Sequence, residues 1–221
     1  MTNEVQFILS LCIGFTVIIG IVKFKRIDRS YYPFFYLACI SLLVEIISYV
    51  LIEKEMYDEK TVMINVFCFI EFVFYTWLFH LWGLFNFNRR LFIFINLIAF
   101  LMWLVFSFYP EGFTKPNMYF RVIYATALLF FAVTTFNKVV IQDRAPLFKN
   151  PKFWIILGII IFFSFYLLSR TASLSLFGID TSRQLRRGLQ EVINYSNLIV
   201  NLMFAIGALC IPRKKNFTGL F

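Results

Sequence analysis

Residues 65–82 read NVFCFIEFVFYTWLFHLW, a stretch that is almost wholly apolar and aromatic yet holds Asn65, Glu71 and His80. A run of this length is typical of a transmembrane helix, because about 20 apolar residues are needed to cross a hydrocarbon core of roughly 30 Å. A carboxyl group inside such a run is rare and usually faces a bundle interior or a watery cavity. Glu71 is therefore the first candidate functional residue.

The whole chain shares the apolar character of this stretch. Its 221 residues are 61% hydrophobic and 21% aromatic, and Phe alone occurs 31 times. A soluble globular protein is about 45–50% apolar, and a soluble domain of this size cannot bury such a surplus. The composition therefore predicts an integral membrane protein.

Seven apolar runs are long enough to span a bilayer. We expect each to be a helix, because a spanning backbone must satisfy its own hydrogen bonds and the runs do not alternate as in a β-barrel. The predicted spans are residues 5–24, 31–52, 61–85, 91–109, 119–136, 153–169 and 191–211. Because the connections are short, the prediction is an all-α, seven-helix bundle that forms a single transmembrane domain over residues 1–221.

Lysine and arginine are distributed unequally between the two sets of loops. Of the 21 basic residues, thirteen lie on the side of the C-terminus and eight on the side of the N-terminus. The positive-inside rule then predicts an N-terminus outside and a C-terminus in the cytoplasm. The net charge of +9 is spread over short loops and helix ends. It therefore indicates lipid headgroups, and not nucleic acid, as the partner.

Polar side chains recur at helical spacing in the second, third and seventh spans, which places those of each span on one helical face. These candidate ligand- or ion-binding residues are Ser41, Glu45, Ser48, Tyr49, Glu71, Tyr75, Asn194, Asn197 and Asn201. Asn65 and His80 lie on a second face of the third span and are secondary candidates. A helix that is polar on two sides is expected to be central, with protein neighbours on both sides.

Glu45 and Glu71 are predicted to lie at similar depth. Glu71 is about ten residues from the start of the third span, roughly 15 Å deep, and Glu45 is roughly 12 Å deep from the same side. A short loop joins the two spans, so they are expected to be antiparallel neighbours. No lysine or arginine is predicted at that depth, so at least one carboxyl is expected to be neutral at pH 7, unless a cation lies between them.

The connection before the seventh span is the most polar one, and a short helix over about 182–190 is predicted to lead into that span. Its basic residues are secondary candidates for holding an anionic ligand, with contact to lipid phosphates as the alternative: Arg183, Arg186 and Arg187. A similar alternative applies to the whole polar core, because polar residues between membrane helices also serve to hold the helices together.

Several kinds of chemistry have no support in the sequence. A single histidine cannot supply a multi-histidine metal site, and no Gly-x-Ser-x-Gly, phosphate-loop or His-Glu-x-x-His motif is present. An intramembrane enzyme would have to rely on Glu45 and Glu71 alone. We therefore expect no catalytic residues, no metal and no cofactor.

Two phrases carry a resemblance to a group of proteins. NVFCFIEF in the third span and NLIVNLMFAIGALC in the seventh resemble small seven-helix integral membrane proteins of bacteria. The resemblance implies the seven-span layout and a place in the bacterial inner membrane, and no known activity comes with it.

Unbroken spans, short loops and the lack of a catalytic set favour a non-enzymatic sensory or accessory membrane protein. Its polar core would bind a small ligand, a lipid or a protein partner and pass a helix shift to a cytoplasmic or membrane partner, with a homo-oligomer as one arrangement. The alternative is a small transporter, channel or pore-forming protein in which Glu45 and Glu71 couple to a proton or a cation.

Overall fold

The computed structural model describes residues 3–24, 27–109, 112–142, 146–173 and 183–212, and every described regular element is a helix. The α-helices are α1 Asn3–Ser10, α2 Ile13–Lys23, α3 Tyr32–Glu53, α4 Tyr57–Leu81, α5 Arg89–Phe108, α6 Met118–Gln142, α7 Pro151–Ser173 and α8 Arg183–Cys210. Within these ranges, six helices are long and apolar enough to cross a membrane, namely α3 to α8. The all-α prediction for a multi-pass membrane protein is thus confirmed.

The predicted first span, residues 5–24, is not one straight helix. The backbone N–H groups of Cys12, Gly14 and Phe15 bond three residues back, as in a 3₁₀ turn, and α1 and α2 meet there. The apolar part of this bent element, Phe7–Lys23, is shorter than the other spans.

The bent element nevertheless runs along the bundle from one end to the other. The ring of Phe7 stacks on Tyr49 near the end of α3, with 4.2 Å between ring centroids. At the opposite end, Lys23 Nζ donates a hydrogen bond to Leu209 O, at 2.6 Å, near the end of α8. Between these points α1 and α2 pack against α3 and α8.

The other spans match their predicted positions, with ends that differ by several residues. The third predicted span continued to residue 85, whereas α4 ends at Leu81. Gly83 has a φ of +82°, and the bonds Leu84 N to Phe79 O and Gly83 N to His80 O form a Schellman motif. A glycine in the left-handed region ends the helix here, because other residues adopt that conformation only at a cost.

Asparagine side chains start three of the helices. Asn88 accepts hydrogen bonds from the backbone N–H groups of the first turn of α5, and Asn117 Oδ1 accepts one from the first turn of α6. Asn150 does the same before α7. Each cap satisfies N–H groups that have no partner inside the helix.

The helix α4 is central, as predicted, because it packs against α3, α5 and α6. Its buried side chains lie on both sides of the helix and include Asn65, Glu71 and Thr76. The predicted short helix over 182–190 continues into the last span, since α8 runs unbroken from Arg183 to Cys210.

The contact between α7 and α8 depends on a glycine. A Cβ atom at Gly158 would lie 2.7 Å from Phe204 Cε1, whereas a Cβ atom at Gly14 would meet no atom within 4 Å. Gly158→Ala is therefore expected to lower the free energy of unfolding by about 1–3 kcal/mol through overpacking. The matched Gly14→Ala change is expected to be neutral or slightly stabilising, because alanine is the better helix former. Thermal unfolding of both variants in detergent checks this, and equal midpoints would contradict the packing assigned to α7 and α8.

Candidate ligand-binding site

Two adjoining cavities lie inside the bundle, toward the end where α3 joins α4. The larger has a volume of about 360 Å³, with walls from α1, α3, α4, α6, α7 and α8. The smaller, about 100 Å³, extends further toward the bundle centre. Glu45, Glu71 and Asn197 line both cavities, so the two spaces meet at these side chains.

All nine primary candidates line one or both of these cavities. The larger is lined by Glu45, Ser48, Tyr49, Glu71, Asn194 and Asn197. The smaller is lined by Ser41, Glu45, Glu71, Tyr75, Asn197 and Asn201. The sequence placed these residues on three helical faces, and the packing of α3, α4 and α8 turns those faces toward one another.

Glu71 is hydrogen-bonded to α6, a helix that was not predicted to contact it. Its side chain is buried, and its Oε2 accepts a hydrogen bond from the Tyr124 hydroxyl on α6 at 3.1 Å. Tyr124 in turn contacts Tyr166 of α7 edge to face, with 6.0 Å between ring centroids. The carboxyl therefore has a fixed position between α4, α6 and α7, with one oxygen still able to accept a second bond.

Basic side chains reach the same cavity, contrary to the expectation that none lies at this depth. Lys60, Arg121 and Arg170 all line the larger cavity, and Lys60 interacts electrostatically with Glu45. The expectation was wrong because it counted depth from the backbone, and long side chains of lysine and arginine extend well away from their own Cα atoms.

Arg121 is the most buried of these basic residues, with 5% of its surface exposed. Its Nη2 donates to Asn65 Oδ1 at 3.0 Å, but its Nε has no hydrogen-bond partner among the described residues. Arg170 stacks its guanidinium over the Tyr166 ring, at 4.9 Å from the centroid, and its Nε has no partner within the described ranges either. Buried guanidinium N–H groups without partners are costly, so both arginines are in an unusual environment on this side of the cavity.

The secondary candidate Asn65 does not line the cavity, but it bonds to Arg121, which does. Its Oδ1 accepts from Arg121 and from the Asn117 backbone N–H, at 3.0 and 3.1 Å. Its Nδ2 donates to Phe113 O and Lys115 O, at 3.1 and 2.8 Å. The amide is thus used in tying the start of α6 and the loop before it to α4.

The amide face of α8 is bonded mainly along its own helix. Gln190 Nε2 donates to Asn194 Oδ1, and Asn201 Nδ2 donates to Asn197 Oδ1, both at 3.4 Å. The hydrogen bond to Glu71 comes from Tyr124 of α6. These long amide pairs leave donors and acceptors able to turn toward a ligand.

The remaining secondary candidates lie elsewhere. The ring of His80 stacks on Phe92 near the other end of α4, with 4.9 Å between ring centroids, and lines neither cavity. Arg183, Arg186 and Arg187 belong to α8 by their backbone, and their side chains lie outside the described residues.

A signal for the missed residues was present in the sequence. Arg121 and Tyr124 are three residues apart, and Tyr166 and Arg170 are four apart, so each pair shares a helical face. Basic and aromatic pairs at this spacing in two spans would have indicated polar faces on α6 and α7.

No protein-family model, curated protein sequence or solved structure matches this chain.

Proposed function

We propose that this protein is a seven-helix integral membrane protein that binds a small polar ligand in the larger cavity and acts in a sensory or accessory role. The observation that carries the proposal is a cavity of about 360 Å³, into which α3, α4, α6 and α7 place Glu45, Glu71, Lys60, Arg121 and Arg170. Cavities of roughly 300–1,000 Å³ with a few convergent polar groups are typical of small-molecule sites.

The seven-helix part of the proposal is supported by the path of α1 and α2. Phe7 lies at the cavity end of the bundle and Lys23 at the other end. A short or bent helix can cross by local thinning of the bilayer and by snorkelling of flanking residues such as Lys23. With seven spans, the excess of lysine and arginine puts the N-terminus and the cavity end outside and the C-terminus in the cytoplasm of a bacterial cell.

Ligand binding would act by drawing helices together. A ligand that contacts α4, α6 and α7 at once binds best to the arrangement in which those walls approach, so it shifts the bundle toward that arrangement. A shift of α6 or α7 would move the cytoplasmic ends of these helices, where a protein partner or a second copy of this chain could bind.

The second candidate function is a transporter or channel for a proton, a cation or a small solute. It is favoured by one observation, that Glu45 and Glu71 line both cavities and so connect the larger one to the smaller. The unbroken α3 to α8 favour the binding role, since many transporters use interrupted helices at the binding site.

The two functions are separated by replacing both carboxyls. Wild type and the Glu45→Gln/Glu71→Gln variant are reconstituted in proteoliposomes, and proton, Na⁺ and K⁺ flux is measured under imposed gradients. We expect no flux above that of protein-free vesicles. In parallel, native mass spectrometry of the wild type taken gently from its own membranes is expected to show a bound species that the double variant lacks. Flux that disappears in the double variant would overturn the binding role.

A further inference from the structure

Of the five charged side chains that line the larger cavity, Lys60 and Glu45 interact with each other, while Arg121 and Glu71 lie at two different levels. The cationic level contains Arg121, which is held by Asn65, while the acidic level contains Glu71, six residues further along α4. Six residues of α-helix correspond to roughly 9 Å along the axis. Cys68, between these two positions, lies near Arg121, Arg170 and Glu71, so these three charged side chains line one stretch of the cavity.

The two levels differ in what they can still bind. At the cationic level Arg121 and Arg170 line the cavity, and Arg121 uses its Nη2 for the bond to Asn65. Guanidinium groups fit a phosphate, whose oxygens accept several N–H bonds at once. At the acidic level, Glu71 uses one oxygen for Tyr124, and Glu45 faces the same space. Carboxyl oxygens in this arrangement accept bonds from an ammonium group.

The net charge of the side chains that line the larger cavity also favours a ligand with both a phosphate and an ammonium group. Three basic side chains and two carboxyls line the cavity, so one positive charge is in excess when both carboxyls are ionised. A ligand with only a cation would add to this excess, and a ligand with only an anion would leave Glu71 without a cationic partner. A ligand that carries both charges, with the phosphate as the larger one, satisfies both levels.

Resting on the proposed function, we infer that the ligand of the larger cavity is a phosphate–ammonium zwitterion of the phosphoethanolamine type. Its phosphate bonds to Arg121 and Arg170, and its ammonium group bonds to Glu71, with Glu45 lining the same space beside Lys60. The same two groups occur in a free small molecule, whose phosphate monoester carries up to two negative charges, and in the headgroup of an ethanolamine phospholipid, whose phosphodiester carries one.

The test uses three matched probes and the full chain in lipid nanodiscs made of phosphatidylglycerol. O-phosphoethanolamine carries both charges, ethyl phosphate lacks the amine, and ethanolamine lacks the phosphate. Isothermal titration is expected to give O-phosphoethanolamine an affinity at least tenfold higher than that of either half. Equal binding of ethyl phosphate and O-phosphoethanolamine would overturn the inference, and so would a failure of O-phosphoethanolamine to bind.

A variant locates the phosphate end without disturbing the Asn65 contacts. Arg170→Gln is expected to weaken O-phosphoethanolamine at least tenfold and to leave ethanolamine within threefold of the wild type. An unchanged affinity for O-phosphoethanolamine would contradict the assignment of the phosphate to this wall. Lys152→Gln, which removes one charge from the same helix outside the cavity, serves as the control and is expected to bind like the wild type.

The source of the zwitterion is decided by the lipid of the disc. If the occupant is a headgroup, adding phosphatidylethanolamine to the disc competes with O-phosphoethanolamine and weakens its apparent affinity severalfold. If the occupant is a free molecule, the affinity is the same in both discs. If none of the probes binds but native mass spectrometry shows a bound species, the zwitterion inference is wrong and the proposed function still stands. If native mass spectrometry shows no bound species, both are wrong.

Discussion

Asn65→Ala is expected to lower the free energy of unfolding by about 3–5 kcal/mol, because two buried and two part-buried hydrogen bonds are lost at once. The lost contacts are those with Phe113 O, Lys115 O, Asn117 N and Arg121 Nη2. The guanidinium carries the largest share, since a buried charge without its hydrogen bond is more costly than a neutral group. Thermal unfolding in detergent, followed by tryptophan fluorescence, measures the loss.

The control for this change is Asn137→Ala. Asn137 is exposed on α6, so the same truncation is expected to alter the free energy of unfolding by less than about 0.5 kcal/mol. If the two variants unfold at the same temperature, Asn65 does not hold the loop before α6 against α4. The hydrogen bond that positions Arg121 beside the cavity is then contradicted as well.

Glu71→Gln is expected to have the largest effect on binding while leaving the bundle folded. The amide has almost the same shape, and its Oε1 can still accept the hydrogen bond from Tyr124 that Glu71 Oε2 accepts at 3.1 Å. The charge that faces the ligand's ammonium group is lost, and removing one partner of a buried charge pair costs about 2 kcal/mol or more, which is roughly a 30-fold loss of affinity.

Titration of O-phosphoethanolamine and ethyl phosphate into this variant distinguishes a charge effect from a general disturbance. O-phosphoethanolamine is expected to weaken about 30-fold and ethyl phosphate to stay within threefold of the wild type. Glu59→Gln removes the same charge from an exposed position of α4 and is expected to leave both affinities unchanged. Wild-type affinity for O-phosphoethanolamine in the Glu71→Gln variant would show that this carboxyl does not contact the ligand.

The helices of this protein could be predicted from the sequence because their cause is local. A run such as residues 91–109 must be helical in lipid wherever it packs, and α5 lies close to that range. Glu45 and Glu71 both line the cavities, but the prediction of similar depth was wrong, because it took the third span to begin at residue 61. Since α4 begins at Tyr57 and α3 ends at Glu53, Glu71 lies roughly 9 Å deeper than Glu45. The end of α4 was also predictable, because a glycine at position 83 favours the left-handed conformation that ends a helix, but the apolar run continues beyond it.

The rest of the site depends on which helices become neighbours, and the periodicity of one span does not carry that information. Tyr124 is 53 residues from Glu71, and Arg121 is 56 residues from Asn65, so both bonds exist only because α6 packs on α4. The bend at Leu11 and Cys12 also escaped prediction, because no proline marks it and the run remains apolar on both sides.

The central claim, that the larger cavity holds a ligand, is tested most directly by filling that cavity. Asn197 lines both cavities on α8, whereas Ile199 is 54% exposed on the outside of the same helix. Asn197→Phe adds a ring inside the bundle, and Ile199→Phe adds one on the outer surface. Each protein is taken gently from its own membranes and examined by native mass spectrometry. We predict a bound species of defined mass on the wild type and on Ile199→Phe, and its loss from a folded Asn197→Phe. The same species on all three proteins, or none on the wild type, would contradict the claim.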